Sequence, residues 1–119
     1  MSPVRALGIY KCPPHLSREV FIKKCEAIMD AVLASPVGQR HLVKYELLVP
    51  NESASEHLDT LGMPSHQGTV VMVAEWASHE GMVEASTDAT LVKNLKAAQD
   101  EFGIHLDGTT FAVDVIVKK

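Results

Sequence analysis

Several features that mark large classes of protein are scarce in this sequence. It has only two cysteines, Cys12 and Cys25, which are too few for a disulfide framework, so both are expected to be free thiols. Its 11 lysine and arginine residues are scattered among 15 acidic residues, and no basic stripe predicts binding to nucleic acid or to an anionic membrane. No apolar run approaches the roughly 20 residues that span a bilayer. The first residues lead into a strand without a signal-peptide pattern, which predicts a cytoplasmic protein.

Sequence patterns for bound metals and redox cofactors are also missing. No glycine-rich fingerprint follows a predicted strand, as a nicotinamide or flavin site would require. The six histidines show no paired spacing such as H-x-x-x-H, and no carboxylate completes a recognisable ligand set. The sequence therefore predicts neither a metal site nor a cofactor.

The sequence does contain one secondary-structure pattern that occurs twice. Residues 5–49 and residues 69–118 each read as strand, helix, strand, and a loose polar stretch at 51–68 joins them. With 119 residues, of which 46% are hydrophobic, the chain is expected to form one globular domain over residues 1–119. Two such units predict a four-stranded antiparallel sheet with both helices on one face, a ferredoxin-like β-α-β-β-α-β fold of the α+β class.

The element boundaries follow from local signals. Alternating patterns predict strands at 5–11, 41–49, 69–76 and 109–117, and a short helix is possible within 52–62. Ser17 and Ser78 each precede a helical pattern and are expected to cap it. The first helix is expected to end before Pro36. The second helical region is expected to break at residues 86–88, where Ser-Thr-Asp offers a second cap.

The strand faces divide into an apolar set and a mixed set. The apolar set is predicted to meet the helices and contains Leu7, Ile9, Val43, Leu47, Val49, Phe111, Val113 and Val115. The mixed set is predicted to face away from them and contains Tyr10, Lys44, Glu46, Leu48, Asp114 and Ile116. Because the mixed face is partly apolar, we expect it to pair with a second copy in a homodimer, sheet against sheet, with a cavity between the sheets.

Residues 7–21, LGIYKCPPHLSREVF, resemble the opening of EthD-type proteins, with a strand, a proline-containing turn and a Ser-x-Glu-x-Phe helix start. The chain as a whole is similar to the dimeric α+β barrel group, which includes stress-responsive A/B-barrel proteins and antibiotic-biosynthesis monooxygenases. The resemblance implies a homodimer with a small-molecule site. It assigns no catalytic residue. The histidine that EthD-type proteins carry two turns after the phenylalanine is replaced here by Ile-Met-Asp at 28–30, and residues 84–91 lack the Tyr and His of related polyketide cyclases.

Polar residues of the mixed face are the leading candidates for catalysis. Tyr10, Lys44, Glu46 and Asp114 would project into the cavity between two sheets, where a carboxylate near a lysine and a phenol suits acid-base chemistry on an enolisable carbonyl. A salt-bridged dimer interface, with Lys44 paired to Glu46 or Asp114, explains the same residues equally well.

The histidines and the end of the third strand supply further candidates. His66 in the connecting segment is the histidine best placed for proton transfer or ligand contact, and His41 at a strand start could face the cavity. Glu75 and Trp76 end the third strand, and Trp76 is expected either in the core or in the cavity wall. The remaining histidines are expected to lie on the surface or in the connecting segment.

Two functions remain open from the sequence alone. One is a cofactor-independent lyase, cyclase, isomerase or decarboxylase acting on a small aromatic or polyketide-like molecule. Its predicted catalytic residues are Glu46, Asp114, His66 and Tyr10, and its predicted substrate-binding residues are Lys44, His41, Glu75 and Trp76. The alternative is a non-catalytic dimer that binds a small molecule or has a stress-associated role.

Overall fold

The computed structural model describes residues 2–62, 68–101 and 108–119. The elements follow one another along the chain as β1 (Val4–Lys11), α1 (Arg18–Ala34), α2 (Pro36–His41), β2 (Leu42–Leu48), α3 (Glu52–Asp59), β3 (Thr69–Trp76), α4 (His79–Thr87), α5 (Ala89–Glu101) and β4 (Gly108–Val113). None of the helices within the described residues is long and apolar enough to cross a membrane.

The four strands form one antiparallel sheet in the order β2-β3-β1-β4. The register places Leu7 of β1 between Val73 of β3 and Phe111 of β4. On the other side of β3, Glu46 of β2 lies opposite Val73, with an irregularity between Leu42 and Lys44. This topology confirms the predicted ferredoxin-like α+β fold.

Local signals in the sequence located the elements well. The Ser17 side chain accepts a hydrogen bond from the Val20 amide at the start of α1, and Ser78 accepts one from the Gly81 amide at the start of α4. The predicted break falls between α4 and α5. Two differences are an extra short helix, α2, which Ser35 caps, and the early end of β4 at Val113 rather than at residue 117.

The predicted assignment of the two sheet faces was largely wrong. Helices α1, α2, α4 and α5 pack on the face that carries Tyr10, Tyr45, Met72 and Trp76. The other face, called the open face here, has no helix packed on it within the described residues. It carries Leu7, Ile9, Val71, Val73, Phe111 and Val113 together with the charged residues Arg5, Lys44, Glu46 and Glu75 and with Leu48.

The error has a physical cause. Leu7, Ile9, Phe111 and Val113 are more apolar than their neighbours, so a simple hydrophobic count assigns them to the core. In the structure the small residues Ala6 and Gly8 lie on the helix face instead. Gly8 leaves room for the Tyr10 ring, and both small residues line a cavity beneath the helices. Lys44, Glu46 and Leu48 were assigned correctly to the open face, and Leu47 to the helix face.

The buried core lies between the sheet and the helices in two clusters. One surrounds Phe21, Cys25 and Val70 where α1 crosses the sheet. The other surrounds Trp76 and contains Val32, Val37, Ala85 and Leu91, which come from α1, α2, α4 and α5. Between these clusters the packing is incomplete, and this gap is the candidate site.

Candidate functional site

A cavity of about 330 Å³ lies between the helix face of the sheet and helices α1, α4 and α5. Its floor is formed by β1, β3 and β2, and its roof by side chains of the three helices. The lining residues include Ala6, Gly8, Tyr10, Val32, Tyr45, Met72, Ala74, Trp76, Met82, Ala85, Ser86, Leu91, Leu95 and Thr110. A second space of about 130 Å³ adjoins it and adds Cys25, Ile28 and Gln99. The lining is largely apolar, as in small-molecule sites of this size.

Tyr10 lies flat along the sheet, because two glycines leave room for its ring. A Cβ atom at Gly8 would come within 2.5 Å of the Tyr10 hydroxyl oxygen, and one at Gly108 within 2.5 Å of a ring carbon. Any larger residue at either position would displace the ring. The Tyr10 hydroxyl is 3.2 Å from the Thr110 hydroxyl of β4, and this hydrogen bond fixes the phenol at the cavity wall.

Tyr45 projects into the same cavity from β2, and its hydroxyl lacks a strong hydrogen-bond acceptor. Its hydroxyl donates towards the Met72 Sδ at 4.0 Å, which is a long contact to a weak acceptor. Burial raises the pKa of Tyr45 to about 12, and the nearby Tyr10 and Cys25 add to the shift. At neutral pH the group is therefore a neutral phenol that can donate a hydrogen bond and cannot serve as a base.

Cys25 of α1 is buried in the same region. Burial raises the pKa of its thiol to about 11, with smaller contributions from Cys12 and Glu26. It is a neutral thiol at physiological pH, because the nucleophilic thiolate is suppressed. The residue lines the smaller space as a packing group.

The hydroxyls of the cavity leave two hydrogen-bond donors for a ligand. Ser86 uses its proton on the Met82 carbonyl oxygen at 2.6 Å. Tyr10 and Thr110 share one hydrogen bond, so one of their two protons remains, and the Tyr45 proton has only the Met72 sulfur. No lysine, arginine, histidine or carboxylate is among the described lining residues. An ionic ligand would lack a counter-charge there, so the cavity suits a neutral molecule with acceptor oxygens.

His41 is held outside the cavity. It ends α2, its Nε2 is 2.6 Å from Glu84 Oε2 of α4, and its ring packs against Gly81 so closely that a Cβ there would clash. Arg40 donates to the other oxygen of Glu84 at 2.7 Å. The hydrogen bonds from Arg40 and then from His41 hold the pKa of Glu84 below its usual value. This cluster ties α2 to α4, which carries part of the cavity roof.

The charged residues of the open face form two ion pairs. Arg5 Nε donates to Glu75 Oε1 at 3.0 Å, and Lys44 Nζ lies 3.7 Å from Glu46 Oε1. Lys44 is also opposite Glu75 in the register of β2 and β3. The salt-bridged dimer interface predicted from the sequence would pair Lys44 with Glu46 or Asp114. In the structure Lys44 pairs with Glu46 within one chain.

The remaining predicted residues are spread over the molecule. Trp76 is buried in the core, which is one of the two expectations for it. The cavity that it lines lies between the sheet and the helices, not between two sheets as expected. Asp114 is exposed and follows the end of β4. His66 lies outside the described residues. The structure thus separates Tyr10 from Glu46, which were predicted to share one face, while their predicted catalytic roles remain predictions.

Sequence reasoning missed the residues that do share the cavity with Tyr10. No role was predicted for Tyr45, Met72 or Thr110, although Tyr45 shares a strand face with Leu47, which was expected to meet the helices. The available signal was the pair of tyrosines in a chain with only six aromatic residues, together with Gly8 two positions before Tyr10. Within residues 2–62, 68–101 and 108–119, no group of three or more histidine, cysteine, aspartate or glutamate side chains is placed to hold a metal ion.

Solved structures with the same fold cover nearly the whole chain. A cofactor-independent oxygenase, SnoaB from Streptomyces nogalater, is 13% identical, with a TM-score of 0.60 over 100% of this chain and 96% of its own. An antibiotic biosynthesis monooxygenase is 12% identical, with a TM-score of 0.59 over 96% of this chain and 99% of its own. A dimeric ferredoxin-like protein of unknown function from Thermobifida fusca is 13% identical, with a TM-score of 0.60 over 95% and 91% of the two chains.

At these identities the comparisons establish the fold alone, and they confirm the resemblance to ferredoxin-like α+β proteins, among them one described as dimeric. The closer likeness to EthD-type proteins stays a prediction. No family model and no curated protein matches the sequence.

Proposed function

We propose that this protein is a cofactor-independent enzyme that acts on a neutral aromatic or polyketide-like molecule in the cavity between its sheet and its helices. The observation that carries the proposal is the apolar cavity of about 330 Å³ with two hydroxyl protons available to a ligand. One belongs to the Tyr10–Thr110 pair, and the other is the Tyr45 proton, which contacts only the weak acceptor sulfur of Met72. A fused-ring molecule with a carbonyl or phenol oxygen matches both the apolar walls and the donors. The oxygenases that share this fold make oxygenation the first reaction to test.

The chemistry of the cavity favours stabilisation of an oxyanion. When an enolisable ketone loses a proton, negative charge develops on its oxygen, and a hydroxyl donor in an apolar site stabilises that charge. Tyr45, whose proton contacts only the Met72 sulfur, is suited to this role. The enolate that forms is electron-rich, and cofactor-free oxygenation and the predicted lyase, cyclase and isomerase reactions can all begin from it.

The proton acceptor remains a prediction. Glu46, Asp114 and His66 were predicted for this role, and neither Glu46 nor Asp114 is among the described lining residues. Glu46→Gln, Asp114→Asn, His66→Ala and Tyr10→Phe test the four predicted catalytic residues individually. Activity that survives all four changes would remove these residues from the mechanism.

Filling the cavity tests the proposed site directly. Ala74→Leu adds three carbons at the cavity floor, whereas Ala97→Leu adds the same atoms on the exposed side of α5. We expect anthrone, a tricyclic enolisable ketone, to be oxidised with oxygen uptake that persists in the presence of a chelator. The Ala74→Leu variant should lose at least about 90% of this rate, since a near-attack geometry tolerates little displacement, while Ala97→Leu retains it.

The oxygen electrode distinguishes the possible outcomes. Product formation without oxygen would assign the protein to the lyase, cyclase or isomerase group. Binding of several enolisable aromatic ketones without turnover, with or without oxygen, would contradict the enzyme proposal. Equal loss in both leucine variants would contradict the cavity as the site.

We also propose that the open face pairs with that of a second copy. It is rich in exposed apolar side chains, including Leu48 and Phe111, and its charged residues are already paired within the chain. Such a face can be buried without leaving unpaired charges. Proteins with this fold that are described as dimeric support the same assembly.

A further inference from the structure

Helix α5 carries a glutamine in line with the leucines that cover the cavity. Leu91, Leu95 and Gln99 are spaced four residues apart, so their side chains lie along one stripe of the helix. Leu91 and Leu95 line the larger space of the cavity, whereas Leu95 and Gln99 line the smaller one. Exposure increases along the stripe, from 4% at Leu91 through partly buried Leu95 to exposed Gln99. The stripe therefore leads from the deep end of the cavity to its mouth, where a polar residue takes the position of a third leucine.

The two spaces of the cavity can hold different parts of one molecule. They meet at four residues that line both of them, Tyr10, Tyr45, Met72 and Leu95. The stripe from Leu91 to Gln99 rises about 12 Å along α5, at 1.5 Å per residue, which is comparable with the length of three fused rings. A molecule of that length can place its rings in the larger space and one substituent in the smaller space.

The smaller space contains a polar group that the structure leaves unused. Its lining adds Cys25, Ile28 and Gln99 to the residues that it shares with the larger space. A thiol is a weak hydrogen-bonding group, whereas a carboxamide has a strong acceptor oxygen and two donor hydrogens. The Gln99 carboxamide forms no hydrogen bond with any residue in the described part of the chain. It can therefore bind a polar substituent without breaking an existing contact.

We propose that Gln99 determines the specificity of the cavity by accepting a hydrogen bond from a hydroxyl group of the bound molecule. The substrate is then a neutral aromatic ketone that carries a hydroxyl group on an outer ring, away from the carbonyl. This inference rests on the proposed function, because it takes the cavity as the binding site, and it adds the residue that selects and orients the molecule.

Two hydrogen bonds at separate points give the molecule one orientation. Tyr45 lies where the two spaces meet, and its proton can bind a carbonyl oxygen, while Gln99 Oε1 accepts from a hydroxyl group nearer the mouth. Apolar walls alone would admit the molecule with either end first. In the reversed orientation the hydroxyl group would lose its hydrogen bonds to water and find only apolar walls, so the site would disfavour it.

The position of Trp76 allows a binding measurement that involves no catalysis. Trp76 lines the larger space and is the single tryptophan of the chain, so a bound aromatic ketone should quench its fluorescence. Fluorenone and 2-hydroxyfluorenone are matched tricyclic ketones, and neither can form an enolate, so turnover does not interfere. We expect the parent protein to bind 2-hydroxyfluorenone roughly fivefold more tightly than fluorenone, which is the contribution of one neutral hydrogen bond.

Variants of α5 assign this preference to one side chain. Gln99→Leu should abolish the preference, whereas Gln99→Glu keeps an acceptor oxygen and should retain it. Asn94→Leu removes a carboxamide from an exposed position of the same helix, outside the described lining, and should retain the full preference. The methyl ether 2-methoxyfluorenone has no proton to donate, so it should bind no more tightly than fluorenone.

Several results would overturn the proposal. They are equal affinity of the parent protein for fluorenone and 2-hydroxyfluorenone, a preference that survives in Gln99→Leu or is lost in Gln99→Glu, and a methyl ether that binds as tightly as the hydroxyl compound. In each case fluorenone still quenches Trp76, so the cavity remains the binding site and the proposed function stands. Absence of quenching by all three ketones would instead contradict the cavity as the site, and both proposals would fall together.

Discussion

The two tyrosines of the cavity have the same side chain but different chemical roles. Tyr10 is immobilised by Gly8, Gly108 and its hydrogen bond to Thr110, so its hydroxyl is already partly used. Tyr45 has only a sulfur atom at 4.0 Å, and burial keeps it protonated. Tyr10 therefore shapes the cavity, while Tyr45 retains a proton that an incoming oxygen atom can accept.

Burial of Tyr45 predicts a loss of stability in alkali. The unfolded phenol ionises at its ordinary pKa of 10.0, whereas the pKa of the folded group is raised to about 12. Below pH 10 both states are protonated and the contribution is fully present. As the pH rises from 10 to 12 the unfolded state loses its proton first, so the free energy of unfolding should fall by about 2 to 3 kcal/mol. Urea unfolding at a series of pH values measures this fall.

Tyr45→Phe is the matched variant for that measurement. It keeps the ring and removes only the ionisable group, so its free energy of unfolding should fall less steeply between pH 10 and 12. An identical pH profile for the variant and the parent protein would show that Tyr45 ionises normally in the folded state.

At the scale of elements, helix starts are encoded by a few adjacent residues. Ser17 and Ser78 were predicted as caps because a serine hydroxyl can accept from the free amides of a first helical turn, and both do so. Ser78 is also buried, the only polar residue so placed in the described part of the chain. Its hydrogen bond to the Gly81 amide fixes the beginning of α4, and α4 forms part of the cavity roof through Met82, Ala85 and Ser86.

Ser78→Ala should therefore weaken α4. Removal of this cap is expected to lower the free energy of unfolding by about 1 to 2 kcal/mol, because the Gly81 amide is left buried without an acceptor. Ser53→Ala, on the exposed surface of α3, should change it by less than about 0.5 kcal/mol. Thermal unfolding followed by circular dichroism compares the two. Equal effects would mean that the Ser78 hydrogen bond contributes nothing beyond helix propensity.

The difference between local and long-range determinants of structure explains what the sequence could and could not predict. Element positions depend on neighbouring residues, and the strand at 69–76 was predicted with the bounds that it has in the structure. The face of a strand depends on what packs against it from elsewhere in the chain. β1 offers Leu7 and Ile9 on one face and Ala6, Gly8 and Tyr10 on the other, and only the positions of α1 and α5 decide between them. The cavity therefore remained hidden, although Tyr10 was identified as a functional candidate.

At the scale of the whole molecule, the described chain is a thin plate of 43 × 40 × 18 Å. One broad side of this plate is the open face, where Phe111 is 46% exposed beside Leu7 and Val113. The hydrophobic effect favours covering this surface, and a second copy covers it on both molecules at once. This is the pairing through the open face that we propose.

Phe111→Glu tests this assembly. A charge within the apolar interface should convert the dimer to a monomer of about 13 kDa, which light scattering detects at micromolar concentration. Val92→Glu places the same charge at a position that is 44% exposed on α5 and should leave the dimer intact. A parent protein that is monomeric at that concentration would contradict the proposed pairing through the open face.

The strand order also determines when native strand pairs can form during translation. β1 pairs with β3 and β4, and β2 pairs with β3, so the first two strands to be synthesised are never neighbours. Until residues 69–76 have emerged, the nascent chain can form helix but no native strand pair. The partner of Arg5 in β4, Val113, is synthesised after β1, β2 and β3. Residues 108–113 must therefore emerge before β1 can pair on both sides, and during that interval its edges are open to other chains.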